Sequence, residues 1–587
     1  LDDPRGRVLR LANVFGNAFT AAVFLSDILR QAATSGNVAV RSALKSEKDY
    51  VSLAEVAAYI PLLWEMVIPF TGDQKTYIAV AMEMRERGEW LQPLLFGEPN
   101  YLKPPFQYWM TLLSWKVFGF HVFATFLPGV LALLGTGWLL NEIASLLGER
   151  RWYVNSGLWF AATAGAMTYA LSAQMDIYVC LFYAGAWWAG LKFLASTEDS
   201  ERNVGWLYAA FLIAGLSSLV KSPLYAAFWV SGYLIYLLIS GEWLLFKNRH
   251  LYLAWAAGIF LGLLWFIILF ARDGASFWDQ YILHEQFQKG ANGGKLADLW
   301  LPLLYMAFPF TLLLFTAIRS AWMGRRTTAI LRFVAAWCIP PALFFSLFPY
   351  RTSLYLFILV PALSILVDWG CFRANRTRTF LWLARATGFL MAIGLSLIGF
   401  LLYRLEFIPV WLFLALAFTG VASAYVLWFG YMRVFTITAL FAVLFFRIGS
   451  AEVAKSDRYG LIALMDHPAP YQGAMLDENR DIWNEVGLLS ISIGSPMKRL
   501  FGYDDVVEHL ENHGVLILSD EQEDKYRITL DHAFEARGEH LDWKVWKRFK
   551  RRQKLPFRDI LIEGKDSVPE FDALISRQYA VVRVAKP

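Results

Sequence analysis

GDQKTYIAVAMEMRERGEWLQPLLFGEPNYLKPPFQYW, residues 72–109, follows an apolar run and precedes a long series of others, yet it is dense in charge and ends in a lysine, two prolines and aromatic residues. Tyr77, Ile78, Ala81 and Met84 recur at helical spacing, with Arg85, Glu86 and Arg87 elsewhere. That pattern predicts an amphipathic helix over 74–88, lying in the membrane interface. Asp73 stands where an N-cap belongs. The apolar run 105–118 is shorter than the ~20 residues a crossing helix needs.

The rest of the 587-residue chain is membrane-like: 57% hydrophobic, 17% aromatic and only 18% charged. Apolar runs of crossing length recur near 51–70, 121–147, 152–171, 176–195, 204–220, 223–240, 251–271, 298–318, 329–348, 352–370, 380–403, 408–429 and 431–449. The fold class expected is a polytopic α-helical membrane protein with about 13 transmembrane helices. If 105–118 stays in the interface, the basic short loops fall on one side with the first 50 residues. Those loops carry Arg150/Arg151, Lys247/Arg249, Arg319/Arg325/Arg326, Arg373/Arg376/Arg378 and Arg433. Cationic loops stay in the cytoplasm, so the expected division is a cytoplasmic segment 1–50, a transmembrane domain 51–449 with its first outer loop at 71–120, and an extracytoplasmic α/β domain 450–587. Strand-like runs at 488–493, 514–519, 559–563 and 579–585, and a helix at 503–512, support the last. No cleavable signal peptide is expected at the start. Cys180, Cys338 and Cys371 lie in or beside apolar runs and form neither a disulfide framework nor a zinc motif. The net charge of +5 gives no reason to expect nucleic acid as a partner.

This topology collects unusual polar residues on the outer face. Asp73, Lys103, Asp176, Lys221, His284, Glu285, Tyr350, Arg351 and Tyr355 all lie at the ends of apolar runs or in the loops between them. Ionisable groups at such places usually face a cavity or one another. Carboxylates beside three cations suit an anionic lipid head group: Lys103, Lys221 and Arg351 for a phosphate, a carboxylate for a hydroxyl proton. The blander readings are snorkelling for the three cations, capping for Asp73, and a structural place for His284.

At this level the chain resembles a known family. The 72–109 stretch is similar to the first outer loop of the integral-membrane glycosyltransferases of the C superfamily, which include the bacterial aminoarabinose transferases of lipid A and relatives of the protein O-mannosyltransferases. The similarity rests on Asp73, Tyr77, Ala79, Met82 or Met84, Gly88, Trp90, Pro93, Gly97, Tyr101, Lys103, Pro104, Pro105, Tyr108 and Trp109. Four later segments follow in the family's order: SAQMDIYVCLF at Asp176, LVKSPLY at Lys221, YILHEQFQKG, and FPYRTSLYLFILVPAL. The family's Asp-Glu is Asp73-Gln74 here, and the acid before Lys-Pro-Pro is Leu102. The resemblance implies a polyprenyl-phosphate-sugar donor, a lipid, glycan or protein acceptor, and inversion at the anomeric carbon. Lys103, Lys221, Arg351 and Tyr355 would hold the donor phosphate. Asp73 would act as base or orient the acceptor, with Asp176 as second carboxylate. Tyr77, Tyr108, His284 and Glu285 would contact acceptor or sugar. No cofactor is expected, and His284 is the single residue a metal would use.

A lipid-linked-sugar flippase or a non-enzymatic assembly factor are the competing readings. A flippase would place its site at mid-membrane on broken helices, often with a repeat; the sequence displays neither. Near the C-terminus, KVWKRFKRRQKLPFR, residues 544–558, carries eight Lys or Arg in fifteen positions. A solvated basic face explains it more simply than contact with an anionic surface.

Overall fold

Short polar caps punctuate the apolar runs and mark where several helices begin. Asn203 accepts from the Gly205 amide at 3.0 Å, Asn248 from His250 at 2.9 Å, and Thr377 from Phe380 at 3.2 Å, so helices start at Val204, Arg249 and Arg378. The computed structural model describes residues 74–120, 122–148, 156–196, 203–287, 294–323, 328–348, 351, 355–374, 377–430, 432, 434–446, 448–449, 473–476, 496–512, 514–549 and 576–585. The expected span 51–70, the candidates Asp73 and Tyr350, and the strand-like runs 488–493 and 559–563 lie outside them.

Among the described residues, seven helices are long and apolar enough to cross a membrane, or eight if one bent pair counts as a single span. This is a multi-pass membrane protein. The helices at Val122–Leu146 (α3), Asp176–Ala195 (α6), Arg249–Asp273 (α9), Ala329–Leu347 (α12), Val360–Ala374 (α13), Arg378–Arg404 (α14) and Val410–Trp428 (α15) correspond to expected spans. Val204–Leu216 (α7) and Pro223–Ile239 (α8) are shorter apolar helices at their expected places. Glycine lets several of them approach closely. A Cβ on Gly262 of α9 would sit 2.7 Å from the Gly215 carbonyl of α7, and Gly258 faces the Phe211 carbonyl. Small residues at such crossings replace the hydrophobic drive that lipid removes.

Three expectations change. The run 152–171 is two short helices, Ser156–Ala161 (α4) and Ala164–Ala170 (α5). Thr163 accepts from the Ala166 amide at 3.2 Å and so starts a new helix inside the run. The run 298–318 is likewise broken: Leu296–Met306 (α10) and Thr311–Met323 (α11) meet at 98° across a stretch containing Pro309. The third change concerns the opening stretch. Its helix, Gln74–Arg87 (α1), is present, but every residue from Tyr77 to Met84 is buried, Glu83 included. It is a core element packed on Phe106–Phe118 (α2), exposed in its last turn, and its buried run goes all round the helix instead of along one face as an amphipathic helix would have it. At 13 residues α2 is too short to cross.

Between α1 and α2 the chain makes a two-residue hairpin, Leu94–Leu95 (β1) with Glu98–Pro99 (β2). Its turn residues Phe96 and Gly97 have φ of 56° and 81°. Glu83 stabilises that turn by accepting from the Gly97 amide at 2.5 Å. Burial pushes the Glu83 carboxyl above its ordinary value, against the Gly97 amide and Arg87, which favour the charge.

Beyond the helices lies a five-stranded sheet of order β4-β3-β5-β7-β6, formed by Gly473–Leu476 (β3), Lys498–Leu500 (β4), Val515–Ser519 (β5), Leu541–Phe549 (β6) and Ser576–Val584 (β7). β3 pairs in parallel with β4 and β5; β7 is antiparallel to β5 and β6. VLILS in β5 is apolar on both faces because both are covered. Leu516 and Leu518 pack with Val506 and Leu510 of Tyr503–Glu511 and with Tyr526, Leu530 and Phe534 of Asp520–Glu535. Val515 and Ile517, with Met475 and Val581, join the large cluster that runs through the helical body. The basic stretch begins as edge strand β6, which sequence reading had not placed in a sheet.

Candidate functional site

Lys103 and Lys221 reach the same kind of position by the same local device. Lys103 precedes Pro104 and Pro105, which lead into α2, and Lys221 precedes Ser222 and Pro223, which start α8. Proline suits the first turn of a helix, where its missing N–H costs nothing. A 3₁₀ turn, Ser217–Leu219, closes α7 just before Lys221. Each lysine is thus fixed beside a helix N-terminus.

Both are in buried ion pairs across long stretches of sequence. Lys221 Nζ is 2.7 Å from Asp176 Oδ1, with the two side chains 12% and 8% exposed. Asp176 itself opens α6, where a negative charge complements the helix dipole. The ring centroids of Tyr225 and Tyr355 lie 5.7 and 5.6 Å from Lys221 Nζ. Lys103 pairs with Glu285, their side chains 14% and 9% exposed. Tyr281 lies beside Ser222, the chain neighbour of Lys221, and within electrostatic range of Glu285. Its hydroxyl is buried and faces the Ser222 side chain without a well-formed hydrogen bond. Burial pushes that phenol well above its ordinary range.

The loop carrying Lys103 is moored to the segment that carries Glu285 by further contacts. Trp265 Nε1 donates to the Leu91 carbonyl at 2.8 Å, and Arg272 donates to Gln92 Oε1 at 2.9 Å. The Tyr101 amide donates to Gln280 Oε1 at 3.3 Å, and Gln92 Nε2 donates to the Tyr101 hydroxyl at 2.5 Å. Tyr101, Trp265, Phe266, Leu269, Phe277 and Tyr281 form an apolar cluster beneath. Burial, with Asp273 close by, pushes the Tyr101 phenol up to about 12.

The remaining candidates are placed differently. Arg351 donates to the carbonyls of Gly294 at 2.6 Å and Ser346 at 2.9 Å. Ser346 lies in the last turn of α12, so the guanidinium satisfies an otherwise orphaned helix-end carbonyl. Two of its five N–H donors are accounted for in this way. Tyr77 and Tyr108 are buried, with ring centroids 6.2 Å apart in an edge-to-face contact where α1 meets α2. They are core residues of that junction. His284 is exposed on the π-helical segment Trp278–Phe287. Among the described residues no three His, Cys, Asp or Glu side chains converge to hold a metal. Sequence reading did not single out Tyr225, Tyr281 or Gln92. Tyr225 and Tyr281 stand inside the quoted motifs LVKSPLY and YILHEQFQKG, which is the signal that could have found them.

Comparison with known proteins agrees with the resemblance read from the motifs. The family model described as dolichyl-phosphate-mannose-protein mannosyltransferase matches residues 102–268. The undecaprenyl phosphate-alpha-4-amino-4-deoxy-L-arabinose arabinosyl transferase of Pseudomonas aeruginosa strain UCBPP-PA14 is 28% identical over 351 residues, 56% of this chain and 60% of that protein. Its counterpart from Pectobacterium carotovorum is 26% identical, over 60% of this chain and 66% of that one. The chain therefore spans about 60% of the curated relatives it matches first. In three dimensions it is similar to ArnT from Cupriavidus metallidurans, bound to undecaprenyl phosphate, with a TM-score of 0.65 and 16% identity, covering 92% of this chain and 99% of that one. The apo form of the same protein gives 0.66 and 17%. The chain has the fold of that protein.

Proposed function

We propose that the protein is a membrane glycosyltransferase. It moves a hexosyl or pentosyl group from a polyprenyl-phosphate carrier to a lipid, glycan or protein acceptor on the outer face of the cytoplasmic membrane. The observation that carries this reading is the pairing of Lys103 with Glu285 and of Lys221 with Asp176 at low exposure, with Tyr225 and Tyr355 around Lys221 and Tyr281 near Ser222 and Glu285. Three helix N-termini, those of α2, α6 and α8, lie at these residues, and their partial positive charge favours an anion. The names of the relatives in Pseudomonas and Pectobacterium, which specify an undecaprenyl-phosphate-linked sugar, support the donor class. In this reading the chain crosses the membrane 13 times, the runs 152–171 and 298–318 crossing as broken spans, with residues 1–50 cytoplasmic and 450–587 forming an extracytoplasmic domain.

The chemistry asks for little beyond positioning and charge. An acceptor oxygen attacks the anomeric carbon opposite the phosphate; the carbon–oxygen bond to phosphate breaks, and polyprenyl phosphate leaves with the electron pair. Lys103 and Lys221 offset the charge that grows on the leaving group. The N–H donors of Arg351 that its two carbonyl contacts leave over would add to them, and Tyr355 would complete the phosphate's surroundings. Asp73 takes the proton of a hydroxyl acceptor, or orients an acceptor already ionised. Asp176 holds Lys221 and orients the sugar.

The flippase reading gains one observation, the 98° break between α10 and α11. The void beside that break is lined by Trp159, Ala307, Phe310 and Leu314 and has a volume of about 10 Å³, room for no more than a water. It supports no lipid path.

The test is reconstitution into liposomes with a panel of polyprenyl-phosphate sugars and a crude envelope extract as acceptor. Acceptor-dependent release of polyprenyl phosphate, abolished by Asp73→Asn, is the expected result. Donor crossing between leaflets with no release from any donor would turn the reading to a lipid carrier.

A further inference from the structure

We propose that Glu285 is an internal stand-in for the lipid phosphate: a polyprenyl phosphate displaces it from Lys103 and takes the Tyr281 hydroxyl, and the return of Glu285 expels the product. The proposal rests on the reading of Lys103 as a phosphate-binding residue. Three observations carry it. Lys103 and Glu285, 182 residues apart, form an ion pair in which both side chains are nearly buried. A carboxylate and a phosphate cannot both approach one ammonium there without like-charge repulsion in a low dielectric. Second, the Lys103 loop does not depend on this pair for its seat. Trp265 to Leu91, Arg272 to Gln92, Gln280 to Tyr101 and the Tyr101–Phe277 ring contact hold it independently. Losing the pair therefore leaves the loop in place. Third, the Tyr281 hydroxyl is a buried donor beside the Ser222 side chain, in no well-formed hydrogen bond among the described residues, and within electrostatic range of Glu285. Such a group costs free energy until an acceptor arrives. An anionic oxygen replacing the Glu285 carboxylate on Lys103 would supply one.

The arrangement also gives a direction to the cycle. The donor is a phosphodiester with one negative charge, whereas the product is a monoester carrying about −1.5 to −2 at neutral pH. The nearby carboxylate repels the product more than the donor. Glu285 thereby opposes the accumulation of bound product, at the cost of a weaker grip on either ligand.

The experiment measures binding of a C55 polyprenyl monophosphate to the full chain in nanodiscs. Glu285→Gln is expected to bind it about tenfold tighter, equivalent to about 1.4 kcal/mol. Tyr281→Phe is expected to bind several-fold more weakly, and Lys103→Ala more weakly still. In the wild type, a zero-length carbodiimide cross-link between Lys103 and Glu285 should form without lipid and be suppressed by saturating lipid; this readout needs no variant to fold. Unchanged or weaker binding by Glu285→Gln, or a cross-link that persists at saturation, overturns the exchange even if Lys103→Ala loses affinity. If Lys103→Ala binds as the wild type does, the phosphate role of Lys103 fails and the proposal with it.

Discussion

Replacing Lys221 by Met removes the cation from a pair whose carboxylate is 8% exposed and whose ammonium is 12% exposed. The methylene volume is roughly kept, so the loss is electrostatic. Asp176 is then left without its cation, with Tyr169, Tyr225 and Cys180 nearby, none of which is a cation. Breaking a buried pair from one side costs about 3–5 kcal/mol, whereas replacing both partners with neutral groups is often nearly neutral. Lys221→Met alone should therefore be destabilised by about 3 kcal/mol. The double variant Lys221→Met with Asp176→Asn should recover most of that, a coupling of about 2 kcal/mol. The assay is an SDS titration in mixed micelles followed by tryptophan fluorescence, run on the wild type, both single variants and the double. If the double variant is as unstable as the sum of the singles, the two residues act independently and the reasoning from the 2.7 Å contact is wrong.

Other expectations follow from the same packing. Gly215→Ala puts a methyl into the Gly258 backbone and should cost about 1–3 kcal/mol, while Gly394→Ala, which meets nothing within 4 Å, should be neutral or stabilising; thermal midpoints of the two compare them directly. Glu83 has its carboxyl raised by burial, so its contribution is full below the ordinary value of 4.5 and falls as pH rises through the raised value. The midpoint of Glu83→Gln relative to the wild type should consequently move upward across the window just above pH 4.5, and a gap moving the other way would contradict the assignment. Asp368, fully buried in α13, accepts from Ser156 Oγ at 2.8 Å and Trp159 Nε1 at 3.2 Å. Asp368→Leu should lower the yield of monodisperse protein more than Asp368→Asn, which keeps an accepting oxygen.

How much of this could be read from the chain depends on whether the deciding interaction is local. The lysines of NYLKPPF and LVKSPLY were legible because proline within two residues of a lysine at a helix start is a property of neighbouring residues. The pairing of Lys103 with Glu285 and of Lys221 with Asp176 was not, since each joins segments far apart in sequence. Hydropathy alone reads 152–171 as one crossing; it has no term for Thr163 capping a second helix within the run. The same blindness joined α10 to α11 across Pro309. For α1 the error ran the other way. Its charged residues suggested a surface helix, but Arg85, Glu86 and Arg87 cluster in the last turn, and Glu83 is satisfied inside by the Gly97 amide. In the C-terminal part, Val515–Ser519 and the strand ending at Val584 were visible as apolar runs. β6 was hidden by its lysines and arginines, which an edge strand accommodates.

The central claim is that the residues around Lys103 and Lys221 hold a polyprenyl phosphate, and photo-cross-linking tests it most directly. A polyprenyl phosphate with a diazirine beside the phosphate would be irradiated with the wild-type protein in nanodiscs and the labelled peptides sequenced. The account predicts label in the peptides containing Tyr101–Trp109, Val220–Tyr225 and Tyr281–Glu285, competed away by unlabelled lipid. Competable label confined to other parts of the chain, such as α10 and α11, would contradict it.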